Sequence, residues 1–184
     1  MSFTIDGTSA STLNVKLKSG YTEPGTPNIR KRELTVPGKA GKYDFGSEYS
    51  DRVFELPLVT LDTTTNAEVQ EVIRELADIL TDNNGDPKEV ELSFSKESDK
   101  HYKVKLNESM GITRSPGKIG EITLPLVATE PYAFADTNTV SANIINNNQT
   151  VSVQNSGSAP TPVVITITNS GANTISGFTI KLQS

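Results

Sequence analysis

Among its 184 residues the chain has no cysteine, no tryptophan and a single histidine. Without cysteine there can be neither a disulfide framework nor a thiolate zinc site. The redox compartment stays open, because a chain of this length needs no staple. His101 stands alone and no serine occupies a Gly-x-Ser-x-Gly setting, so the common nucleophile and base constellations lack their members. Neither catalysis nor a cofactor is expected. No stretch approaches the roughly 20 apolar residues that span a bilayer, and Met1-Ser2-Phe3-Thr4-Ile5-Asp6 has neither the basic head nor the apolar run of a secretory signal. A soluble product made in a cytoplasm is expected. Basic residues are outnumbered 17 to 22, and the net charge of −5 argues against a protein that grips nucleic acid through phosphates.

What is present reads mainly as β-structure. Leu13, Val15 and Leu17 alternate with Asn14, Lys16 and Lys18, and the same period of two recurs in Val90/Leu92/Phe94, Tyr102/Val104/Leu106 and Ile122/Leu124/Leu126. Each segment reads as a half-buried antiparallel strand. The five polar residues Lys96–Lys100 have the length of a hairpin connection between strands 89–95 and 101–106. One helix is expected from about Ala67 to Leu80, with Val69, Val72, Ile73, Leu76 and either Ile79 or Leu80 on a single stripe. Thr65 with Glu68 forms a capping box at its start, and Asn83-Asn84-Gly85 and then Pro87 stop it.

The segment 19–50 departs from this pattern. It is punctuated by Gly20, Pro24, Gly25, Pro27, Pro37, Gly38, Gly41 and Gly46, with only Leu34-Thr35-Val36 strand-like. Connections of this length in a compact domain usually serve binding or are disordered. Within it, Val36-Pro37-Gly38-Lys39-Ala40-Gly41-Lys42-Tyr43-Asp44-Phe45-Gly46 combines a type II turn signal at Pro37-Gly38 with two further glycines free to take positive φ. The bends hold Tyr43 and Phe45 out as anchors, so the run is expected to act as a docking arm. The candidate assembly residues are Val36, Pro37, Gly38, Gly41, Tyr43, Asp44, Phe45, Gly46 and Arg52. The planar fork of Arg52 could clamp Asp44 or a carbonyl of the arm, against the alternative of an ordinary strand-end charge.

Other features have simpler readings. Asp82-x-Asn84-x-Asp86 mimics the start of a calcium loop, but Pro87 stands where the turn wants glycine and Ser93 where a bidentate glutamate is required. It reads as a polar helix stop. Arg30-Lys31-Arg32 reads as a solvated strand edge or a salt-bridging arm, and His101 as an exposed strand-end residue. Asn107-Glu108-Ser109 and Asn148-Gln149-Thr150 match glycosylation sequons, which matter only in a secretory compartment. Pro57 restricts the strand 53–58 to an edge or a bulge.

Past Thr129-Glu130-Pro131-Tyr132-Ala133-Phe134-Ala135 the composition shifts to Asn, Thr, Ser and Val with almost no charge. Two domains are expected, 1–135 and 136–184. Three short strands are expected in the second, at Thr150–Val153, Val163–Thr168 and Phe178–Leu182. Three strands cannot enclose a core, since a sandwich needs roughly seven over ~100 residues, so this region reads as a partial second β domain that leans on another surface or belongs to a longer protein.

The order and spacing of "VPGKAGKYDFG", "YSDRVFELPL", the helix and "EITLPLVATEPYAFA" resemble the N-terminal domain of the distal tail proteins of long non-contractile-tailed bacteriophages, over roughly residues 1–135. The resemblance implies a mainly β fold, a β-sandwich flanked by one α-helix and an extended hairpin or arm. It further implies that six copies close into a ring at the tail tip, the baseplate of the virion. In that family the ring joins the tail-tube protein to the tail-tip hub protein, and in some phages carries receptor-binding proteins. DNA passes through its channel without specific binding. The family's second domain is commonly a galectin-like sandwich, of which 136–184 offers only the first strands. A carbohydrate-binding or adhesin-type β module is the competing reading, although only Phe178 follows Phe134 as an aromatic for a sugar face.

Overall fold

The computed structural model describes residues 2–61, 65–114, 120–137, 139–145, 149–154, 157–159, 162–174 and 177–181. The chain divides into two compact units, Met1–Thr139 and Val140–Ser184.

Unit 1 is built on one antiparallel sheet. Its strands are β1 (Phe3–Ile5), β2 (Thr8–Ser9), β3 (Val15–Leu17), β6 (Arg52–Thr60), β7 (Val90–Phe94), β8 (Lys100–Leu106), β9 (Gly111–Arg114), β10 (Gly120–Ala128) and β11 (Phe134–Ala135), interrupted by the two-stranded sheet β4 (Ile29–Leu34) and β5 (Tyr43–Tyr49). The main order is β2-β1-β7-β8-β10-β6-β3, with β9 on β10 and β11 on β8. Alternation explains the burial: Phe54, Leu56, Leu58 of β6, Ile122, Leu124, Leu126 of β10 and Val90, Leu92, Phe94 of β7 all enter one core. The sheet curls to enclose it. Phe54 and Phe94 lie three strands apart in the order, about 14 Å if the sheet were flat, yet their rings are 5.9 Å apart. The expected sandwich is thus a single continuous sheet bent over on itself.

Helix α1 (Asn66–Leu80) covers the core with Val69, Val72, Ile73, Leu76 and Leu80. Its capping box is formed: Glu68 N–H donates to Thr65 Oγ1 at 3.2 Å and Thr65 N–H to Glu68 Oε2 at 3.0 Å. At the other end Asp82 Oδ1 accepts from the N–H groups of Asn84 and Asp86, at 2.8 and 3.0 Å, so its carboxylate closes the turn after the helix. Helix and sheet meet closely at Gly120. A Cβ there would lie 2.7 Å from Val69 Cγ1.

Two prolines end ladders within the sheet. β6 and β10 pair about Leu56↔Leu124, which sets Pro57 opposite Thr123 and Pro125 opposite Glu55. Lys18 N–H donates to the Pro57 carbonyl at 2.7 Å, and Asn107 N–H to the Pro125 carbonyl at 3.0 Å. The reciprocal bond is the one a proline cannot make, and both ladders stop there. The edge that Pro57 implied is present: among the described residues 52–57 lacks a strand on that side, and β3 covers β6 only at 58–60. Past Pro57 the chain leaves the sheet as the strap 18–28, which leads into β4.

Among the described residues of unit 2 no strand forms. This overturns the expectation at Thr150–Val153 and Val163–Thr168. For Phe178–Leu182 the same holds of 178–181, residue 182 being outside the described residues, as is Asn148 of the second sequon. Val164 is 90% exposed and Phe178 69%. β-branched alternation supplies strand preference, but a ladder needs a partner and a face to bury.

Candidate assembly interface

The stretch punctuated by glycines and prolines is a β-hairpin, the extended hairpin or arm that the family resemblance implied. β4 and β5 pair through Ile29↔Tyr49, Arg30↔Glu48, Lys31↔Ser47, Glu33↔Asp44 and Leu34↔Tyr43. Between Lys31 and Glu33 on one strand lie two steps, while Ser47 to Asp44 spans three, so one extra residue bulges out of β5 beside Phe45 and Gly46. Gly46 takes φ +92°, and its N–H donates to Asp44 Oδ1 at 2.8 Å. The bulge therefore needs the glycine and is held by the aspartate. At the tip Lys39 N–H donates to the Val36 carbonyl at 3.2 Å with Gly38 at φ +82°, the type II turn expected of Pro37-Gly38.

Both faces of this hairpin are wet. By the register, Arg30, Arg32, Leu34, Tyr43 and Glu48 share one face, and Phe45, two residues past Tyr43, joins them. Leu34 is 52% exposed, Tyr43 46% and Phe45 66%. Lys39 Nζ sits 3.1 Å from the Tyr43 ring centroid, a cation over an aromatic face. Glu48 receives both Arg30 and Arg32, Arg30 Nε at 2.8 Å, and the Arg30 hydrogen bond above all holds its carboxyl below the usual range. Lys42 pairs with Glu33, whose hydrogen bond raises the ammonium. The basic triplet is thus the salt-bridging edge of an arm. Residues 29–49 hold five of the 17 basic residues but three of the 22 acidic ones, so the arm is basic and the remainder of the chain more acidic than the whole.

Arg52 does not clamp the arm. It opens β6, and its Nη1 donates to the Tyr102 hydroxyl at 2.7 Å with the guanidinium carbon 5.1 Å from that ring's centroid. The Asp44 carboxylate is engaged by Gly46 instead, within the bulge. Arg52 belongs to the root, where the strap is pinned: Tyr21 stacks on Phe94 at 6.3 Å and Glu23 pairs with Lys96 at 2.6 Å. Burial, reinforced by Glu23, pushes the Tyr21 phenol well above its ordinary range, and burial likewise raises Tyr102 against the pull of Arg52. The arm's two ends are tied by Asn28 N–H to the Asp51 carbonyl at 2.9 Å and Ser50 N–H to the Asn28 carbonyl at 2.8 Å. The Ser50 hydroxyl donates to Asp51 Oδ1 at 2.7 Å and lowers that carboxyl.

The structure therefore brings Val36, Pro37, Gly38, Gly41, Tyr43, Asp44, Phe45 and Gly46 together on the hairpin and leaves Arg52 at its base. Leu34, Tyr49 and the Glu48 clasp were not expected from the sequence; the period-two spacing of Arg30, Arg32 and Leu34 is a faint signal of β4. His101 is not an exposed strand end, since its ring stacks on Phe134 at 6.0 Å and lies 3.7 Å from Glu91.

Comparisons with known proteins bear on most of unit 1. The profile of the phage tail protein RIFT-related domain matches residues 8–128. Among solved structures, the chain superposes with a TM-score of 0.53 and 18% identity on SPP1 Dit, described as a paradigm of the hub adsorption apparatus in phages infecting Gram-positive bacteria. The match covers 73% of this chain and 51% of that one, so the chain spans about half the length of SPP1 Dit. A comparison with curated proteins returned no match.

Proposed function

The chain belongs to the family of phage tail proteins with a RIFT-related domain, and from that premise we propose that it is the distal tail component that closes as a hexameric ring at the tail tip. Its partners are then copies of itself, the tail-tube protein on one side and the tail-tip hub protein on the other, with receptor-binding proteins attached where the tip carries them. DNA passes through the ring without specific binding. Residues 1–135 are the ring-forming domain, and 136–184 open a second domain of galectin-like type or a C-terminal extension. The observation that carries the reading is the exposed hairpin. A ring needs two different surfaces on each subunit that meet head to tail. Leu34, Tyr43 and Phe45 on an arm lacking a covered face supply one of them, and the acidic body of the next copy complements the arm's basic balance. The resemblance to SPP1 Dit, a hub adsorption protein by its description, supports the same place in the tail.

The reading is tested by light-scattering mass measurement over a range of concentrations, on the chain alone and with tail-tube protein added. A species of six copies is expected, and the Phe45→Ser variant is expected to stay monomeric. A chain that remains monomeric with the tube protein present, or a Phe45→Ser variant that assembles like the parent, overturns it.

A further inference from the structure

The root of the arm touches the segment by which the chain leaves unit 1. Tyr49, the last residue of β5, meets Tyr132 with ring centroids 6.4 Å apart and planes at 87°, the edge-to-face arrangement that aromatic quadrupoles favour. Tyr132 lies between β10 and β11, directly after Pro131, whose ring restricts the local backbone. Two residues on, Phe134 is fixed to the body. It pairs with His101 across β11 and β8, stacks on that imidazole at 23°, and has Lys103 Nζ 4.7 Å from its ring centroid. The exit segment is therefore held at two points, the arm at Tyr132 and the sheet at Phe134, with one residue between them. The arm's other ties, at Asn28, Ser50 and Asp51, are short-range backbone bonds that close its base without reaching the exit.

We infer that Tyr132 is a positioning residue for the arm, and that a displacement of the arm is transmitted through Tyr132 to β11 and so to the start of the second unit. This inference rests on the assembly reading for its use, because an arm seated on a neighbour would then be registered where the next domain begins. The contact itself is a property of the single chain. An edge-to-face pair of this kind shifts a local opening equilibrium by roughly two- to tenfold.

Hydrogen exchange read by mass spectrometry on the monomeric full chain tests it, because the readout does not require a ring. Tyr132→Ala is expected to speed exchange about two- to tenfold in β5 as well as in β11. Tyr49→Ala is expected to speed it in β11, and the double variant to do no more than either single one. Tyr132→Phe keeps the ring edge and is expected to match the parent. If Tyr132→Ala leaves β5 unchanged, or if Tyr132→Phe behaves like Tyr132→Ala, Tyr132 does not position the arm. Should Tyr132→Ala fail to fold, the Tyr49→Ala measurement at β11 decides alone. Coupled exchange in a chain that never assembles sinks the ring and leaves this inference standing; a ring with uncoupled exchange does the reverse.

Discussion

The β4–β5 hairpin and the β6–β10 pair are both antiparallel ladders in one unit, yet one buries almost nothing and the other anchors the core. Along β6 and β10 every second side chain enters the core, Leu56 and Leu124 completely. Along β4 every residue is exposed. The β6–β10 pair is held by apolar burial, worth about 25 cal/mol per Å², and the β4–β5 pair by cross-strand pairs such as Arg30 with Glu48, which are individually weak in water. The exposed β4–β5 ladder contributes little to its own fold. Its exposed Tyr43 and Phe45 are better suited to a partner's surface.

The contrast predicts a graded series of effects on folding. Leu124→Ala removes a fully buried side chain next to Leu56 and should cost about 2–5 kcal/mol in urea unfolding; a cost no larger than that of an arm substitution would erase the distinction. Gly120→Ala forces a methyl against Val69 and Thr60 and should cost about 1–3 kcal/mol, read as a fall in melting temperature. Loss of the helix cap in Thr65→Ala should cost about 1 kcal/mol in the same assay. Phe45→Ser should change unfolding by less than about 0.5 kcal/mol while abolishing self-association. An equally large loss in both would show that Phe45 serves the fold.

The smallest effect is electrostatic. Because Glu48 is held below its ordinary pKa in the folded arm, its clasp is fully present above the unfolded value and is lost as pH falls through the depressed one. Titration of the Glu48 side-chain carboxyl by NMR should show the midpoint below that of a free glutamate, and exchange in β4 should rise only under acid. A midpoint at or above the free value would remove the clasp.

The same contrast explains what the sequence made legible. Where one face is buried, period two survives in the composition, and the strands holding Val90, Tyr102 and Ile122 as well as the helix from Thr65 onward could be read directly. Where both faces are wet the alternation carries no apolar signal, so β4 and β5 were hidden among glycines and prolines. The tip turn, the anchors Tyr43 and Phe45, the strand-like Leu34-Thr35-Val36 and the basic triplet Arg30-Lys31-Arg32 are the signals that remain. Short strands such as Phe3–Ile5 and Gly111–Arg114 offer too few alternations to register. The two readings of Arg52 stay open in the sequence because a planar cation beside an arm has many candidate acceptors, and its partner Tyr102, 50 residues away, is visible only in the fold. In the second unit the opposite error occurred. Val163–Thr168 carries strand preference without a described ladder to join, since propensity is local and pairing is not.

The ladder between β3 and β6 stops at Pro57 for want of one hydrogen. Replacing it with valine would supply that hydrogen, let β3 zip further along β6 and draw inward the strap that leads to the arm. The length of that strap is, on this geometry, metered by a half-buried pyrrolidine ring in the sheet.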